Sequence, residues 1–225
     1  MGIFRPSGKP VIVKIPRMMI EALLFDLGKV LIDFDFERGM RHFASRTPLA
    51  QEEFETVVLN QNWVGRYEHG EISTADYLHY LREHGKLDMN LSEFHDAWSA
   101  VFLPGLIVPE ELIVNLKARY PLILVSNTNE SHARFAIERY PVLRHFDHKI
   151  FSHEVGSMKP DRRIYDAAIA AAGKPPGVLF FTDDRLENIE SATKLGINAH
   201  QFQSVLKLVK ALRNHGIAVG DFVPA

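Results

Sequence analysis

Short runs of apolar residues alternate along this chain with longer stretches in which apolar side chains recur every three or four positions. The runs Ala22-Leu23-Leu24-Phe25, Pro121-Leu122-Ile123-Leu124-Val125, Lys149-Ile150-Phe151, Val178-Leu179-Phe180-Phe181 and Ile197-Asn198-Ala199 predict strands. Continuous apolar strands of this length are buried on both faces, as in a parallel sheet, rather than half-wet. Between them the helical period predicts helices over about residues 110–120, 130–140, 161–172, 186–195 and 204–214. Strands alternating with helices in this way give an α/β fold, a doubly wound parallel sheet.

One interval breaks the alternation. Residues 26–120 are far too many for a single crossover between neighbouring parallel strands. From Phe36 to Phe102 the pattern is wholly helical, with Phe94, Trp98 and Phe102 at helical spacing. Ser73 to Asp76 carries an N-capping signal just after a break at Gly70. The chain therefore divides into a leader or edge strand at 1–19, an α/β core at 20–36 and 104–225, and an inserted all-helical cap at 37–103. Pro104-Gly105 marks the return to the core. Ligands of open α/β sheets sit beyond the carboxyl ends of the strands, and an insert leaving from that edge overhangs them.

Length and composition agree with this division and narrow the partners. At about 150 residues per domain, 225 residues are about 1.5 domains, which a core plus an insert accounts for. With 46% hydrophobic residues and a net charge of −2, disorder is excluded and no broad basic field exists for a nucleic acid. No apolar run approaches the roughly 20 residues that span a bilayer, so no membrane is expected. The chain has no Cys, which excludes disulfides, thiolate metal sites and a Cys nucleophile, and fits a reducing cytoplasm. A monomer or weak homodimer is the expected state.

The residues that follow the strands form a specific set. Asp26 and Gly28 follow the first, Ser126 and Asn127 the second, Lys159 the third, and Asp183 with Asp184 the fourth. Each Asp alone reads equally well as a turn or helix-cap residue. Jointly they bring carboxylates, a hydroxyl, an amide and a lysine to one sheet edge. Crowded carboxylates in a partly dry site need a cation, and hard oxygen ligands without His or Cys favour Mg²⁺. The 11 His residues show no ligand spacing and are read as surface or core residues.

In order and spacing these segments resemble the four motifs of the haloacid dehalogenase-like hydrolase superfamily. The stretches FDLGKVLIDFDF (25–36), EHGEIS (68–73), VSNTN (125–129), MKPDRRIY (158–165) and FTDDRLENIESA (181–192) are similar to the branch that holds the bacterial α-D-glucose-1-phosphate phosphatases. The resemblance implies a phosphatase acting on a small phosphomonoester, with anomeric hexose phosphates favoured. Asp26 would be the nucleophile that forms an aspartyl phosphate. Mg²⁺ would be held by Asp26, the Gly28 carbonyl and Asp184, with Asp183 beside it or on a metal-bound water. Ser126 and the Asn127 amide would bind phosphate, and Lys159 would balance the charge of Asp26. Pro160 is expected at the first position of the following helix. Asn188 would orient the acidic pair, or else lie exposed on its helix.

The chain departs from the superfamily at one place. Most phosphatases of the group carry an acid/base Asp two positions after the nucleophile, where this chain has Gly28. The departure favours substrates with acidic leaving groups, and Asp33 or Asp35 are candidate replacements, although a turn or ion-pair role suits each as well. It also keeps two alternatives open: a metal-independent 2-haloacid dehalogenase-type hydrolase and a non-catalytic phosphate-binding regulator. Substrate choice is expected to lie with the cap. There Trp63, Arg66, Tyr67, Glu68 and His69 lead into the Gly70 break, with Trp63 and Tyr67 equally suited to the cap interior. Arg41 and His42 are further candidates.

Overall fold

A computed structural model describes residues 19–224. The expected leader or edge strand at 1–19 lies outside them except for Met19. Five strands, β1 (Ala22–Phe25), β2 (Leu122–Ser126), β3 (His148–Phe151), β4 (Leu179–Asp183) and β5 (Asn198–Gln201), form one sheet in the order β3-β2-β1-β4-β5. Every pairing is parallel. The central strands β1, β2 and β4 are buried throughout, while β3 and β5 are only partly covered as edges.

Successive strand residues point to opposite faces, and the two faces have separate cores. Leu23, Phe25, Leu122, Leu124 and Phe180 pack with residues of α6 (Glu110–Lys117), α7 (Glu130–Arg139) and α11 (Val205–Asn214). Ala22, Leu24, Ile123, Val125, Leu179 and Phe181 pack against α9 (Arg162–Ala172) and α10 (Leu186–Lys194). Each fully buried Leu or Phe of these layers contributes about 1.5–3 kcal/mol. The chain leaves β1 toward β2 and β3 on one side, then crosses to β4 and β5 on the other. The switch in direction opens a crevice at the carboxyl ends of β1 and β4, where such folds bind ligands.

Between β1 and α6 the chain forms α1 (Phe36–Phe43), α2 (Gln51–Val58), α3 (Gln61–Glu68), α4 (Thr74–Gly85) and α5 (Leu91–Ser99). These helices surround their own core of Phe43, Phe54, Tyr67, Tyr77, Leu81, Phe94 and Trp98. The Ser73–Asp76 capping box forms as its residues predict, with reciprocal bonds at the start of α4. The entry and return linkers run side by side: Asp35 N donates to Val101 O (2.7 Å) and Leu103 N to Asp33 O (2.9 Å). Phe102, expected on a cap helix, instead lies past the end of α5 in a bridge to Phe34. Its ring stacks on Phe135 of the core, because helical spacing does not reveal where a helix stops.

The helical insert also touches the core away from its linkers. Gly70 (φ +71°) allows its turn to approach α8 (Ser152–Val155) so closely that a Cβ there would lie 1.9 Å from the His153 carbonyl oxygen. Thr74 Oγ1 donates to Glu130 (2.7 Å), and the His132 ring stacks on Trp98 with its Nε2 donating to the Trp98 carbonyl (2.9 Å). That bond makes Nε2 the protonated nitrogen of the neutral ring.

Burial pushes His132 down from 6.5 to about 4, with the bond to Trp98 opposing. A histidine neutral in the folded state loses its stabilising contribution as pH falls from about 6.5, where the unfolded chain takes up the proton. The melting temperature is therefore expected to fall between pH 6.5 and 4, at a cost of up to about 1.4 kcal/mol per pH unit. His132→Phe, which cannot titrate, should flatten that slope in a thermal-melt series; an unchanged slope would assign it to other groups. Among the described residues no helix is long and apolar enough to cross a membrane.

Candidate active site

The strand ends deliver the expected residues to the switch-point crevice. The β1–β4 ladder continues one step past β1, where Asp26 N donates to Thr182 O (2.9 Å), so Asp26 sits beside the end of β4. Lys159 follows α8 and is almost completely buried. Its Nζ donates to Asp26 Oδ1 (2.7 Å), Asp183 Oδ2 (2.7 Å) and the Val125 carbonyl (2.8 Å). Asn127 holds the Lys159 backbone: its Nδ2 donates to Lys159 O (2.8 Å) and its Oδ1 accepts from Lys159 N (2.7 Å). The ammonium is thus locked from both ends.

Asp183 is fully buried, and both its oxygens are engaged. Oδ2 takes Lys159, while Oδ1 accepts from Arg185 N (2.9 Å) and Asn188 Nδ2 (2.8 Å). Asn188 is therefore buried with its amide on Asp183, rather than lying exposed. Asp26 Oδ1 accepts from Leu27 N (2.7 Å) as well as Lys159. Among the described residues, Oδ2 of Asp26 has no protein donor and is the oxygen left for chemistry.

Asp26, Gly28, Ser126, Asn127, Lys159 and Asp184 line one cavity of about 150 Å³, to which Lys29 and Arg185 add positive charge. A second chamber of about 290 Å³ shares Gly28, Phe34, Ser126 and Asn127 with it and extends under the helical insert. Phe36, Leu59, Val64, Trp98, Val101 and Phe102 make its walls mainly apolar; Glu68, Thr128 and His132 are its other polar members.

Electrostatics say what the cavity requires. Burial, reinforced by the charge of Asp183 and opposed by Lys159, pushes Asp26 up to about 7. Burial and then Asp183 also raise Asp184. Burial disfavours the Lys159 ammonium, but Asp26 and Asp183 outweigh it and hold its pKa above the ordinary range. One oxygen each of Asp26, Asp183 and Asp184 lies within 4.8 Å of the others. Lys29 and Arg185 are paired with Asp33 and Glu187, so the three carboxylates share one ammonium and leave negative charge in a confined space, which a hard divalent cation would neutralise. The donor set, all oxygen, fits Mg²⁺.

Several residues lie elsewhere than their motifs suggest. Asp161 caps α9 with its side chain accepting from Arg163 N (2.8 Å), so Pro160 falls before the helix and not at its first position. A cap side chain before Arg162 displaces the helix start by two residues. Asp33 pairs with Lys29 and accepts from Phe34 N (2.8 Å), and Asp35 caps α1 through Arg38 N (3.0 Å). Both have the structural roles weighed for them. Tyr67 is buried and bonds Thr74 (2.9 Å), and Trp63 stacks on Tyr80 with centroids 4.3 Å apart. Arg66 lies over Trp63 and pairs with Glu71, while Arg41 and His42 are exposed on α1. Of this group only Glu68 reaches the chamber. The sequence reading missed Phe34 and Arg185; Arg185 directly follows the acidic pair, whereas nothing local marks Phe34.

Fold and site define a Rossmann-like enzyme that gathers carboxylates and one lysine at the switch point of its sheet. The family model for haloacid dehalogenase-like hydrolases matches residues 20–196, and the chain belongs to that family. D-ribitol-5-phosphate phosphatase from Bacteroides thetaiotaomicron is 25% identical over 190 residues, 81% of this chain and 92% of the relative. A haloacid dehalogenase (HAD) family enzyme of the same organism, solved with magnesium and inorganic phosphate, is 27% identical with a TM-score of 0.70. The match covers 82% of this chain and 95% of that one. A HAD-like hydrolase from Porphyromonas gingivalis gives a TM-score of 0.74 at 25% identity, over 87% of this chain and 99% of that chain.

Proposed function

We propose that this hydrolase is a Mg²⁺-dependent phosphatase that cleaves a small sugar or polyol phosphate through an aspartyl-phosphate intermediate, under a cap formed by residues 37–103. The observation that carries the reading is the buried Asp26–Lys159–Asp183 cluster, open through Asp26 and Asp184 to a cavity lined by Ser126 and Asn127.

Asp26 attacks phosphorus and the ester oxygen leaves. Lys159 opposes the burial that raises Asp26, which favours its ionised form, and offsets charge on the transferring group. Ser126 and the Asn127 amide hold the phosphate oxygens. Asp26, the Gly28 carbonyl and Asp184 would hold Mg²⁺, with Asp183 and Asn188 fixing the acidic loop from behind. Bound there, the cation would neutralise phosphate charge and polarise its P–O bonds. The carboxyl-end cavity under an apolar chamber suits a phosphate held in the core and a leaving group held below the cap. The ribitol-phosphate relative widens the substrate class from anomeric sugar phosphates to esters of primary alcohols. A cysteine-free chain suits the reducing cytoplasm.

Turnover of p-nitrophenyl phosphate and of a panel of hexose, pentitol and glycerol phosphates, each with Mg²⁺ or with EDTA, tests the reading. Phosphate release is expected with Mg²⁺ and should fall to background with EDTA. Equal activity in both conditions would overturn it and favour metal-independent hydrolysis of a carbon–halogen bond.

A further inference from the structure

An alkyl phosphate needs a proton on its bridging oxygen as the P–O bond breaks, because an alkoxide leaves poorly. Gly28 cannot supply it. Nor is the space beside Gly28 free: a Cβ there would lie 2.9 Å from the ring of Phe34. Asp33 is paired with Lys29, Asp35 caps α1, and both oxygens of Asp183 are engaged. One carboxyl of the chamber remains.

Glu68 is the last residue of α3, and Ser152 Oγ donates to its carbonyl (2.7 Å), pinning this helix end to the core. The residue lines the chamber together with Gly28, Ser126 and Asn127. Its carboxyl has no hydrogen bond or ion pair among the described residues. Arg185, which lines the phosphate cavity, lies close enough for its charge to act on Glu68. The unpartnered carboxyl thus stands where the leaving group of a bound ester would extend. Burial raises its pKa, with His69 and Arg185 opposing, which favours a carboxyl able to carry a proton.

We propose that Glu68 is the acid–base residue of this enzyme, supplied by the cap in place of the acid absent at Gly28. The inference rests on the phosphatase reading above. In the first step Asp26 forms a bond to phosphorus, the bond from phosphorus to the ester oxygen breaks, and that oxygen takes the Glu68 proton to leave as an alcohol. In the second step water attacks the aspartyl phosphate and gives one proton to the Glu68 carboxylate. Inorganic phosphate leaves, and both Asp26 and the protonated Glu68 are restored. The proton source sits on the cap, so chemistry on alkyl esters requires the cap to be docked.

The test compares the unaltered enzyme with Glu68→Gln on p-nitrophenyl phosphate, whose phenolate leaves without a proton, and on glycerol phosphate. Glu68→Gln should lower kcat for glycerol phosphate by about 10²- to 10⁴-fold; on p-nitrophenyl phosphate, where only the second step calls on Glu68, it should slow steady turnover but leave the single-turnover rate of nitrophenolate release within about threefold. Glu68→Asp, which keeps a carboxyl, should retain more glycerol phosphate activity than Glu68→Gln. Equal losses in the single-turnover rate of both esters, a change confined to KM, or no loss on glycerol phosphate would overturn the inference. So would an unaltered enzyme that cleaves only the nitrophenyl ester. An unaltered enzyme with no Mg²⁺-dependent turnover of either ester would instead sink the phosphatase reading, and this inference with it.

Discussion

Asp26→Asn is expected to leave a folded protein whose turnover of p-nitrophenyl phosphate, with saturating Mg²⁺, drops by about 10⁴-fold or more. An amide is a poor nucleophile, and no Cys is present to replace the carboxylate. Fold loss should not account for the drop. Burial and Asp183 make the Asp26 carboxylate costly in the metal-free protein, so the neutral amide should hold or raise the melting temperature in EDTA. The same change removes a cation ligand, so the rise in melting temperature on adding Mg²⁺ should shrink. Kinetics on p-nitrophenyl phosphate together with melts in EDTA and Mg²⁺ check all three points. Residual turnover within tenfold of the unaltered enzyme would mean that Asp26 does not attack phosphorus.

The largest stability effect is expected at Lys159. Its ammonium, with a side chain 1% exposed, is bonded to two carboxylates whose own side chains are 11% and 0% exposed. Lys159→Met keeps much of the stem volume but leaves Asp26 and Asp183 facing each other without their cation. Breaking a buried pair in this way costs about 3–5 kcal/mol. For a chain of this size that lowers the melting temperature by roughly 6–20 °C. Added Mg²⁺ should recover part of the loss, because it neutralises the same carboxylates. The double variant Lys159→Met/Asp183→Asn should be more stable than Lys159→Met alone yet equally inactive. If the double variant were no more stable, lost packing rather than unbalanced charge would explain the effect.

These two predictions separate roles that one small cluster combines. Asp26 is expected to matter for chemistry far more than for folding, whereas Lys159 matters for both. Asn188 and the backbone of Arg185 belong with the second kind: they touch Asp183 and fix its orientation. The helical insert brings Glu68 to the chamber and closes it with Val64 and Trp98, and the paired linkers add Phe34 and Phe102.

Much of this architecture was legible in local pattern. The strands and the core helices follow from apolar runs and helical period, since burial on both faces demands continuous apolar strands. The acidic and hydroxyl residues lie immediately after those runs, so a parallel sheet must bring Asp26, Ser126 and Asp184 to one edge whatever the packing around them. Less was legible where two distant segments meet. Phe102 has helical spacing from Trp98 but belongs to the linker pair, because the bond from Leu103 N to Asp33 O pulls it out of the helix. Asn188 read as well exposed as buried, since only the turn at Arg185 decides which side of α10 faces Asp183.

By itself, then, the order of strand-end residues determined the α/β core, the inserted helices and the candidate nucleophile, because strand direction in a parallel sheet leaves those positions no other destination. The tertiary structure alone decided how Gly28 is accommodated. Phe34, on the entry linker and bridged to Phe102 of the return linker, occupies the space beside it, and Glu68 reaches the chamber through the docking of α3 on Ser152. Both depend on contacts between segments far apart in the chain, and no local period or spacing encodes such contacts.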